Sequence, residues 1–486
     1  MPRFLILVAT LVMSCATPAS ATDADPLVAA ILGETPLIDD LRTLTDEIGG
    51  RPDGSDANAA AVEWALERFR EAGVTARKEA FRMPMRWLER SASAQVRGDV
   101  HFSARVAAMP YSTPTATGGL TVALVDAGKG TPAEIEGLGA RAKGAFLLVE
   151  TPMLEDIPGL FREYMDAAAT EARAIEVGVA GVVYVGSRPR NVLYRQIAAL
   201  GTDNTRPMLV MERSNGMRAL RLLRQGKKLE LHVEVDLDTG PAYESHNVVA
   251  EIPGRELPNE FVVIGAHLDS WGLGTGALDN GCNVALVIDI ARQMQRLGLR
   301  PRRTIRFALF NGEEHGLHGS WGYVITHADE LDDTVMASSY DIGSGRITGF
   351  FTGGRAELLD AVERALEPVR GLGPFHNIDI PIVGTDNFDF MMEGVGNLVA
   401  NQESANYGPN YHAGTDTFDK VDQHQLRLNA AIAAAVTYNF AEMEVDWKRQ
   451  TRAEIEDLVE STDLGAQMRT FHMFDAWEKG ERGRKD

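Results

Sequence analysis

Cysteine is scarce in this sequence of 486 residues, which contains only Cys15 and Cys282. If an N-terminal segment that includes Cys15 is removed, one thiol remains, and an intramolecular disulfide is excluded. Basic residues are also outnumbered, because 48 Lys+Arg stand against 69 Asp+Glu and give a net charge of −21. This balance argues against nucleic acid or an anionic membrane surface as the main partner.

Long hydrophobic runs are absent as well. The apolar stretch Phe4–Ala16 is shorter than the roughly 20 residues that a membrane-spanning helix needs, and no other segment approaches that length. It follows a positive charge and precedes the small residues Ala19–Ala21, which predicts a signal peptide over residues 1–21. We therefore expect an exported protein, periplasmic or extracellular. Leu11–Cys15 also resembles a lipobox, so lipid anchoring at Cys15 is the alternative to ordinary cleavage.

Two common catalytic motifs are missing. The chain has no Gly-x-Ser-x-Gly sequence, which argues against a serine hydrolase. The pair His315 and His318 lacks the His-Glu-x-x-His order of a zinc-binding helix, and Gly316 weakens a helix there. Cys282 is interpreted as a small packed residue rather than as a nucleophile.

What is present is a globular composition, with 44% hydrophobic and 24% charged residues. From Ser245 to about Val445, short hydrophobic runs alternate with helical patterns. This alternation predicts an α/β fold with a mixed, mostly parallel central sheet flanked by helices on both faces. Strands are expected at Phe261–Leu268, Thr304–Phe310, Thr334–Asp341 and Gly396–Ala400, and helices at Cys282–Leu297, Arg355–Glu367 and His424–Glu444.

Polar clusters stand at the ends of these predicted strands, where an open parallel sheet places its ligand sites. The clusters are His267-Leu268-Asp269, Asp279-Asn280-Gly281, Asn311-Gly312-Glu313-Glu314, Asp341 and Tyr411-His412. Each alone is weak evidence, since a polar residue at a strand end is commonly a hydrogen-bonded loop residue. Together they supply two imidazoles and three carboxylates, which can satisfy a pair of zinc ions if one carboxylate bridges. One glutamate is then left to act as a base.

These residues resemble the co-catalytic di-zinc exopeptidases, which include secreted bacterial aminopeptidases, carboxypeptidase Q (plasma glutamate carboxypeptidase) and glutamate carboxypeptidase II. The resemblance covers most of residues 30–445 and is strongest from Ser245 to Asp422. The strings that carry it, in the family's order and spacing, are Gly265–Ser270, Gly276–Gly281, Asn311–Ser320 and Tyr411–Thr417.

Carried over position by position, the resemblance implies a set of metal ligands. His267 and Asp341 would bind the first metal. Glu314 and His412 would bind the second, and Asp279 would bridge the two. Two zinc ions are therefore the expected cofactors.

The resemblance also implies three further roles. Glu313 would be the general base, which takes a proton from the metal-bridged water and passes it to the leaving amine. Asp269 would hold His267 in its ligating tautomer. Tyr411 would stabilise the oxyanion of the tetrahedral intermediate.

The resemblance further implies a domain organisation with an inserted unit. The parts are a signal peptide at 1–21, the first part of the peptidase domain at 22–116, an inserted smaller α/β protease-associated domain at 117–240, the catalytic zinc-peptidase domain at 241–445 and a C-terminal helical tail at 446–486. The insert would either roof the active-site cleft or act as a spacer. Relatives with such an insert are often dimers, so a homodimer is compatible with the resemblance.

The leading hypothesis is an exported zinc-dependent exopeptidase acting on short peptides, either an aminopeptidase or a dipeptidase similar to carboxypeptidase Q. Two alternatives stay open: a catalytically silent peptide-binding or receptor-like relative, and a single-zinc acyltransferase similar to glutaminyl cyclases. The sequence leaves open which end of a peptide is removed. We interpret Asp386 and Asp389 as the N-cap and the first-turn acid of a short helix rather than as cleft residues.

Overall fold

The computed structural model describes residues 24–197 and 200–485. The predicted signal peptide at residues 1–21, with Cys15, lies outside this described part of the chain. Within it, no helix combines the length and the apolar composition that crossing a membrane requires.

The strands of the described residues form two sheets. In chain order they are β1 (Thr75–Met83), β2 (Arg86–Gly98), β3 (Phe102–Ala104), β4 (Val106–Ala108), β5 (Leu120–Asp126), β6 (Phe146–Val149), β7 (Gly181–Val185), β8 (Met208–Met211), β9 (Leu229–Gly240), β10 (Tyr243–Ile252), β11 (Leu257–His267), β12 (Arg303–Phe310), β13 (Thr334–Ser339), β14 (Ile347–Phe351) and β15 (Asn397–Gln402). The first sheet has the order β1-β10-β12-β11-β13-β15-β14, and the second has the order β3-β2-β9-β5-β6-β7-β8-β4.

Helices cover these sheets. The α-helices are α1 (Ala24–Leu32), α2 (Leu37–Arg42), α3 (Asp56–Glu71), α4 (Pro132–Leu138), α5 (Ile157–Val177), α6 (Arg213–Arg224), α7 (Cys282–Arg296), α8 (His318–Thr326), α9 (Leu359–Ala365), α10 (Asn387–Met392), α11 (Tyr407–Asn410), α12 (Gln423–Glu442), α13 (Arg452–Ser461), α14 (Leu464–Thr470) and α15 (Phe474–Glu478). The helix predicted over Arg355–Glu367 is interrupted, because 3₁₀ turns stand on both sides of α9.

The first sheet is mixed. Its central strands β12, β11, β13 and β15 are parallel, as the alternation of strands and helices predicts. The outer pairs β1–β10, β10–β12 and β15–β14 are antiparallel, so the sheet is evenly mixed rather than mostly parallel. The parallel strands matter for the site, because their carboxyl ends all lie at one edge of the sheet.

Both faces of this sheet are buried, which explains why the sequence of its central strands is continuously apolar. Successive side chains of a strand point to opposite faces. In β11, Val262 and Ile264 pack in the cluster that includes α7 and α12. Val263, between them in sequence, packs with Phe310 and Phe390 on the side of α8 and α10. The result is a helix–sheet–helix sandwich that fixes the strand ends.

Helices near the site begin at residues that satisfy their free backbone donors. Ser55 accepts a hydrogen bond from the backbone N–H of Asn58 and caps α3. Asp422 accepts from the backbone N–H groups of His424 and Gln425 and caps α12. Such caps stabilise a helix by about 1 kcal/mol each. The observed start of α12 at Gln423 lies one residue before the predicted start at His424.

The second sheet, with α4, α5 and α6, forms what we call the second-sheet unit, residues 86–240. Strands β2, β3 and β4 precede residue 117 in the chain, yet they pair within this sheet. We therefore propose that the inserted unit begins near residue 86, and not at the predicted residue 117. The long antiparallel pairing of β2 with β9 brings both ends of the unit together, which is how an insertion leaves the host fold intact.

The C-terminal tail is helical, as expected, and packs against the first sheet's helices. Its Arg482 is buried and donates to both carboxylate oxygens of Asp389, at 2.7 and 2.8 Å. The same guanidinium donates to the backbone carbonyls of Gly316 and Leu317, in the segment that follows Glu314. The tail therefore supports the loop between β12 and α8 from outside.

Candidate metal centre

The predicted ligands come together at the carboxyl ends of the parallel strands. His267 is the last residue of β11, Glu314 follows β12, and Asp341 follows β13. Asp279 lies in the loop between β11 and α7, and His412 lies in the loop after β15. Five residues that are far apart in sequence thus occupy one edge of the sheet.

The first of two side-chain groups contains His267, Asp279 and Asp341. Nε2 of His267 lies 2.9 Å from Oδ1 of Asp341 and 3.1 Å from Oδ1 of Asp279. All three side chains are buried, and their nearest ligand atoms lie within 4.8 Å of one another. One imidazole and two carboxylates facing a common point are a donor set that suits a divalent zinc ion.

The second group contains Asp279, Glu314 and His412. Nε2 of His412 lies 2.8 Å from Oε2 of Glu314 and 3.5 Å from Oδ2 of Asp279. Asp279 therefore belongs to both groups and turns one carboxylate oxygen toward each imidazole. This sharing is what the bridging role of Asp279 requires.

The unbalanced charge of the two groups fits a pair of cations. Oδ2 of Asp279 and Oε1 of Glu314 are buried without a hydrogen-bond partner among the described residues. Burial, and then the charge of Asp279, raise the pKa of Glu314 well above its ordinary range. Buried carboxylates of this kind are costly unless they are paired with positive charge, and two divalent ions would supply it.

Asp269 contacts both His267 and the two glutamates. Nδ1 of His267 lies closer to the backbone oxygen of Asp269, at 3.1 Å, than to its carboxylate, at 3.6 Å. The carboxylate instead accepts hydrogen bonds from the backbone N–H groups of Glu313 and Glu314, at 3.3 Å each. Asp269 thus orients the histidine through its main chain and fixes the two glutamates through its side chain.

Glu313 stands beside the first group without belonging to it. Its Oε2 lies 3.9 Å from Nε2 of His267, and its side chain keeps about 10% of its surface exposed. Burial raises its pKa well above the ordinary value, the nearby imidazole opposes that change, and the charges of Asp341 and Glu314 add to it. A carboxyl at this position, beside the candidate ligands, is suited to accepting and releasing a proton.

Tyr411 lies against the second group. Its ring stacks on His412, with centroids 3.6 Å apart and an angle of 23° between the planes. Its hydroxyl is 3.3 Å from the hydroxyl of Tyr164, which belongs to α5 of the second-sheet unit. Burial, and then the proximity of Tyr164 and Asp279, raise the pKa of Tyr411 well above 10, so that the hydroxyl keeps its proton.

The second-sheet unit also holds His412 directly. The backbone N–H of Arg195 donates to the carbonyl of His412 at 3.0 Å, and Nδ1 of His412 lies 3.2 Å from the carbonyl of Arg195. Tyr194 and Ala413 form a β-bridge beside this contact. The unit therefore contributes to the orientation of the imidazole, which a mere spacer would not do.

Sequence reasoning missed two residues that support the Asp279 loop. The carboxylate of Asp416 accepts hydrogen bonds from the backbone N–H groups of Ala277, Leu278 and Asp279, at 3.1, 2.7 and 3.1 Å. The fully buried guanidinium of Arg51 donates to backbone carbonyls of the same loop. Asp416 lies inside a string that carried the family resemblance, which is the signal that could have identified it.

Asp386 occupies the N-cap position of α10 and Asp389 lies in its first turn, as interpreted from the sequence. The side chain of Asp386, however, makes no capping bond within the described part of the chain. The hydroxyl of Thr385 takes that role and accepts from the backbone N–H of Asn387 at 3.4 Å. Both carboxylate oxygens of Asp386 are buried, with no partner found in residues 24–197 and 200–485, and the charge of Asp386 acts on Glu313. Asp389 is paired with the C-terminal tail, and so it is not a cleft residue.

A third residue that the sequence did not single out is Arg188 of the second-sheet unit. Its guanidinium is fully buried, with Cζ 3.9 Å from the ring centroid of Tyr194 and 5.9 Å from that of Tyr411. Nη1 donates to Glu163 at 3.0 Å. Nε and Nη2, the edge that would pair with a carboxylate, have no partner among the described residues.

We expect a pH-dependent stability contribution from Asp53, which is buried near Asp269. Burial, and then the charge of Asp269, raise its pKa to about 7 from the ordinary 3.8. The folded state therefore favours the protonated form, and this stabilisation is lost as the pH rises from about 4 through 7. The side chain at position 53 of the Asp53→Asn variant cannot ionise. The free energy of unfolding of the variant minus that of the parent should therefore increase by roughly 1.4 kcal/mol for each pH unit between about pH 4 and pH 7.

Urea unfolding of both metal-free proteins between pH 4 and pH 8 measures this difference. Because the other carboxylates titrate equally in both proteins, the comparison isolates Asp53. A difference in unfolding free energy that stays constant with pH would contradict the assignment.

Part of the chain is similar to a known peptidase family. Residues 247–437 match the model of peptidase family M28. Carboxypeptidase Q of Mus musculus is 32% identical over 227 residues, which are 46% of this chain and 47% of that protein. The match thus spans about half the length of this curated relative.

Two solved structures share the fold. A peptidase M28 precursor from Shewanella amazonensis superposes with a TM-score of 0.79 at 25% identity, over 87% of this chain and 97% of the other. A zinc aminopeptidase from Bacillus subtilis superposes with a TM-score of 0.66 at 19% identity, over 85% and 96%. These superpositions include most of the described residues, so the arrangement of the two sheets is one that other chains adopt.

Proposed function

We propose that the chain is a di-zinc exopeptidase that hydrolyses short peptides, because residues 247–437 match the model of peptidase family M28. One observation carries the proposal: two groups of His and carboxylate ligands overlap at Asp279, and Glu313 stands beside them. Single-metal sites need no shared carboxylate, so this overlap favours two ions over the single-zinc acyltransferase alternative.

The five ligands would hold the two ions, His267 and Asp341 on one side and Glu314 and His412 on the other. When bound, zinc supplies Lewis-acid polarisation of the scissile carbonyl and lowers the pKa of the attacking water. The protein adds orientation, because Asp416 and Asp269 fix the backbone of the loops that carry the ligands. No nucleophilic serine or cysteine is needed, and the buried Cys282 has a raised pKa that keeps it as a thiol.

Glu313 is proposed to move the proton. Its carboxylate accepts a proton from the attacking water and delivers it to the nitrogen of the leaving amine, which balances the hydrolysis of the peptide bond. The backbone N–H of Glu313 donates to Asp269, so the main chain that carries this carboxylate is fixed before substrate binds. This preorganised base favours an enzyme over the catalytically silent, receptor-like alternative.

Tyr411 is proposed to stabilise the negative charge that develops on the carbonyl oxygen. Its hydroxyl stays protonated and can donate a hydrogen bond. Its position is fixed by stacking on His412 and by the hydroxyl of Tyr164. The second-sheet unit therefore contributes to the orientation of this donor.

Arg188 and Asp386 each have buried polar atoms without a partner among the described residues, and these atoms support a substrate with both ends free. The free edge of Arg188 suits the terminal carboxylate of a peptide, because Nε and Nη2 can donate to its two oxygens in parallel. The carboxylate of Asp386, near Glu313, suits a terminal ammonium. We therefore propose dipeptides as the preferred substrates, with the scissile bond between the two anchors.

The test compares one dipeptide with its N-acetylated and C-amidated forms. We expect amidation to lower kcat/KM of the parent. Arg188→Leu should lower kcat/KM for the free dipeptide about 30-fold or more, so that the free and the amidated dipeptide react at similar rates. Arg188→Lys keeps the charge but loses the paired donors, so it should recover only part of the rate. In the same way, Asp386→Asn should lower kcat/KM for the free dipeptide, so that the free and the N-acetylated dipeptide react at similar rates. Equal rates on all three forms by the parent would contradict the substrate proposal.

Export of the chain, the identity of the second-sheet unit as a protease-associated domain, and a homodimer remain predictions. Secretion of a tagged chain of residues 1–486, compared with the same chain without residues 1–21, tests export.

A further inference from the structure

The second-sheet unit contains a cavity of about 330 Å³ that is separate from the metal ligands. It lies between α5 and the carboxyl ends of the parallel strands β6 and β7, and Thr151, Tyr184 and Gln196 are part of its wall. In open sheets with parallel strands this is the position where ligands bind. Its volume is at the lower end of small-molecule sites, which run from about 300 to 1,000 Å³.

Two polar side chains in the wall of the cavity are buried and lack hydrogen-bond partners. The side chain of Gln196 is buried, and both its amide oxygen and its amide nitrogen have no partner among the described residues. The hydroxyl of Thr151, on another wall, is likewise buried and unpaired in that part of the chain. Buried polar groups are normally hydrogen-bonded, so these two point to a ligand that offers both donors and acceptors.

The mouth of the cavity carries charges of both signs. Lys129 and Arg162 are exposed there, and so are Glu155 and Asp166. A small zwitterion would find an acidic partner for its ammonium group and a basic partner for its carboxylate. We propose that this cavity is a second ligand site that binds a free amino acid. Its identification with the product of the reaction rests on the function proposed above.

The site is connected to the metal centre by three consecutive residues. Side chains of an extended segment alternate in direction, and Tyr194 and Gln196 both face the cavity. Between them, Arg195 points elsewhere, to Glu89 and the carbonyl of Ala108. The backbone carbonyl of Arg195 lies 3.2 Å from Nδ1 of His412. A ligand that hydrogen-bonds Gln196 therefore acts one residue away from the group that orients this imidazole, so amino-acid binding and zinc binding are coupled.

Calorimetric titration of the full chain with L-alanine, L-glutamate and L-lysine tests the site. We expect at least one of them to bind both the zinc-loaded and the metal-free chain, because the cavity contains none of the proposed metal ligands. Thr151→Val and Gln196→Leu, on different walls, should each weaken that binding about tenfold or more. Gln225→Leu makes the same chemical change at an exposed glutamine of the unit and should leave binding unchanged. If Gln196→Leu does not fold, Thr151→Val alone decides.

Two results would overturn the site: no binding of the three amino acids at millimolar concentration, or binding that neither variant weakens. Titration with zinc in the presence of a competing chelator tests the coupling. Free amino acids chelate zinc themselves, so affinities are calculated from the free zinc concentration; on that basis saturating amino acid should shift the zinc affinity of the parent about fivefold or more and leave that of Gln196→Leu unchanged. An unchanged affinity in the parent would overturn the connection to His412. Binding is measured without turnover, so a failure of the proposed peptidase activity would be seen separately.

Discussion

Replacing Glu313 with glutamine will slow dipeptide hydrolysis by about 10²–10⁴-fold and leave the zinc content unchanged. The side chain keeps its shape, and the backbone N–H of residue 313 still donates to Asp269, so the two ligand groups are not disturbed. What is lost is the carboxylate that accepts the proton. The measurement is kcat by mass spectrometry of the products, together with zinc per chain by elemental analysis.

The control for this variant is Glu357→Gln, which makes the same change at an exposed glutamate far from the ligands in the chain. It should keep full activity and the same zinc content. Full activity in Glu313→Gln would make the proposed mechanism wrong. Loss of zinc in that variant would mean that Glu313 is itself a ligand.

Asp279→Asn should have a larger effect on the metals. The carboxylate of Asp279 turns one oxygen to each group, 3.1 Å from Nε2 of His267 and 3.5 Å from Nε2 of His412. An amide can offer only its oxygen and carries no negative charge, so one group loses a ligand and both lose charge compensation. We expect the chain to retain one zinc ion or fewer after dialysis, and hydrolysis to be lost with the pair.

Asp289→Asn is the matched control, because Asp289 is equally buried and lies on α7, the helix that follows the Asp279 loop. Its carboxylate bonds Arg292 and Gln293 at 2.8 and 3.2 Å, so the change lowers stability without touching the ligands. Both variants are compared at a temperature where each is folded. Two tightly bound zinc ions in Asp279→Asn would show that the carboxylate is not shared.

The dipeptide proposal and the metal proposal can be contradicted independently of each other. The metal ligands come from the first sheet, whereas Arg188 comes from the second-sheet unit. A protein that binds two zinc ions and hydrolyses longer peptides from one end would keep the first proposal and overturn the second. The cavity at Gln196 is independent of both, because its test needs no turnover.

The sequence by itself predicted the parallel strands of the first sheet and the candidate ligands at their ends. Apolar runs such as Phe261–Leu268 are long enough to predict a buried strand, and the polar residues that follow them are placed at one sheet edge by the parallel order alone. His267, Asp279 and Glu314 could therefore be grouped before any coordinates existed. The pattern that identifies each of them, a strand end followed by a carboxylate or an imidazole, spans only a few residues and is therefore visible in the sequence.

Only the tertiary structure decided which residues hold those ligands and what stands around them. Asp416 supports the loop of Asp279 through backbone donors that are distant in sequence, and Arg195 orients His412 across the boundary between the two units. Asp386 stands at the N-cap position of α10, yet a threonine one residue earlier takes the capping bond. The start of the second-sheet unit at residue 86 was also hidden, since strand pairing between β2 and β9 depends on contacts between distant segments. Such contacts are set by packing and hydrogen bonding over long loops, for which a single sequence carries no local pattern.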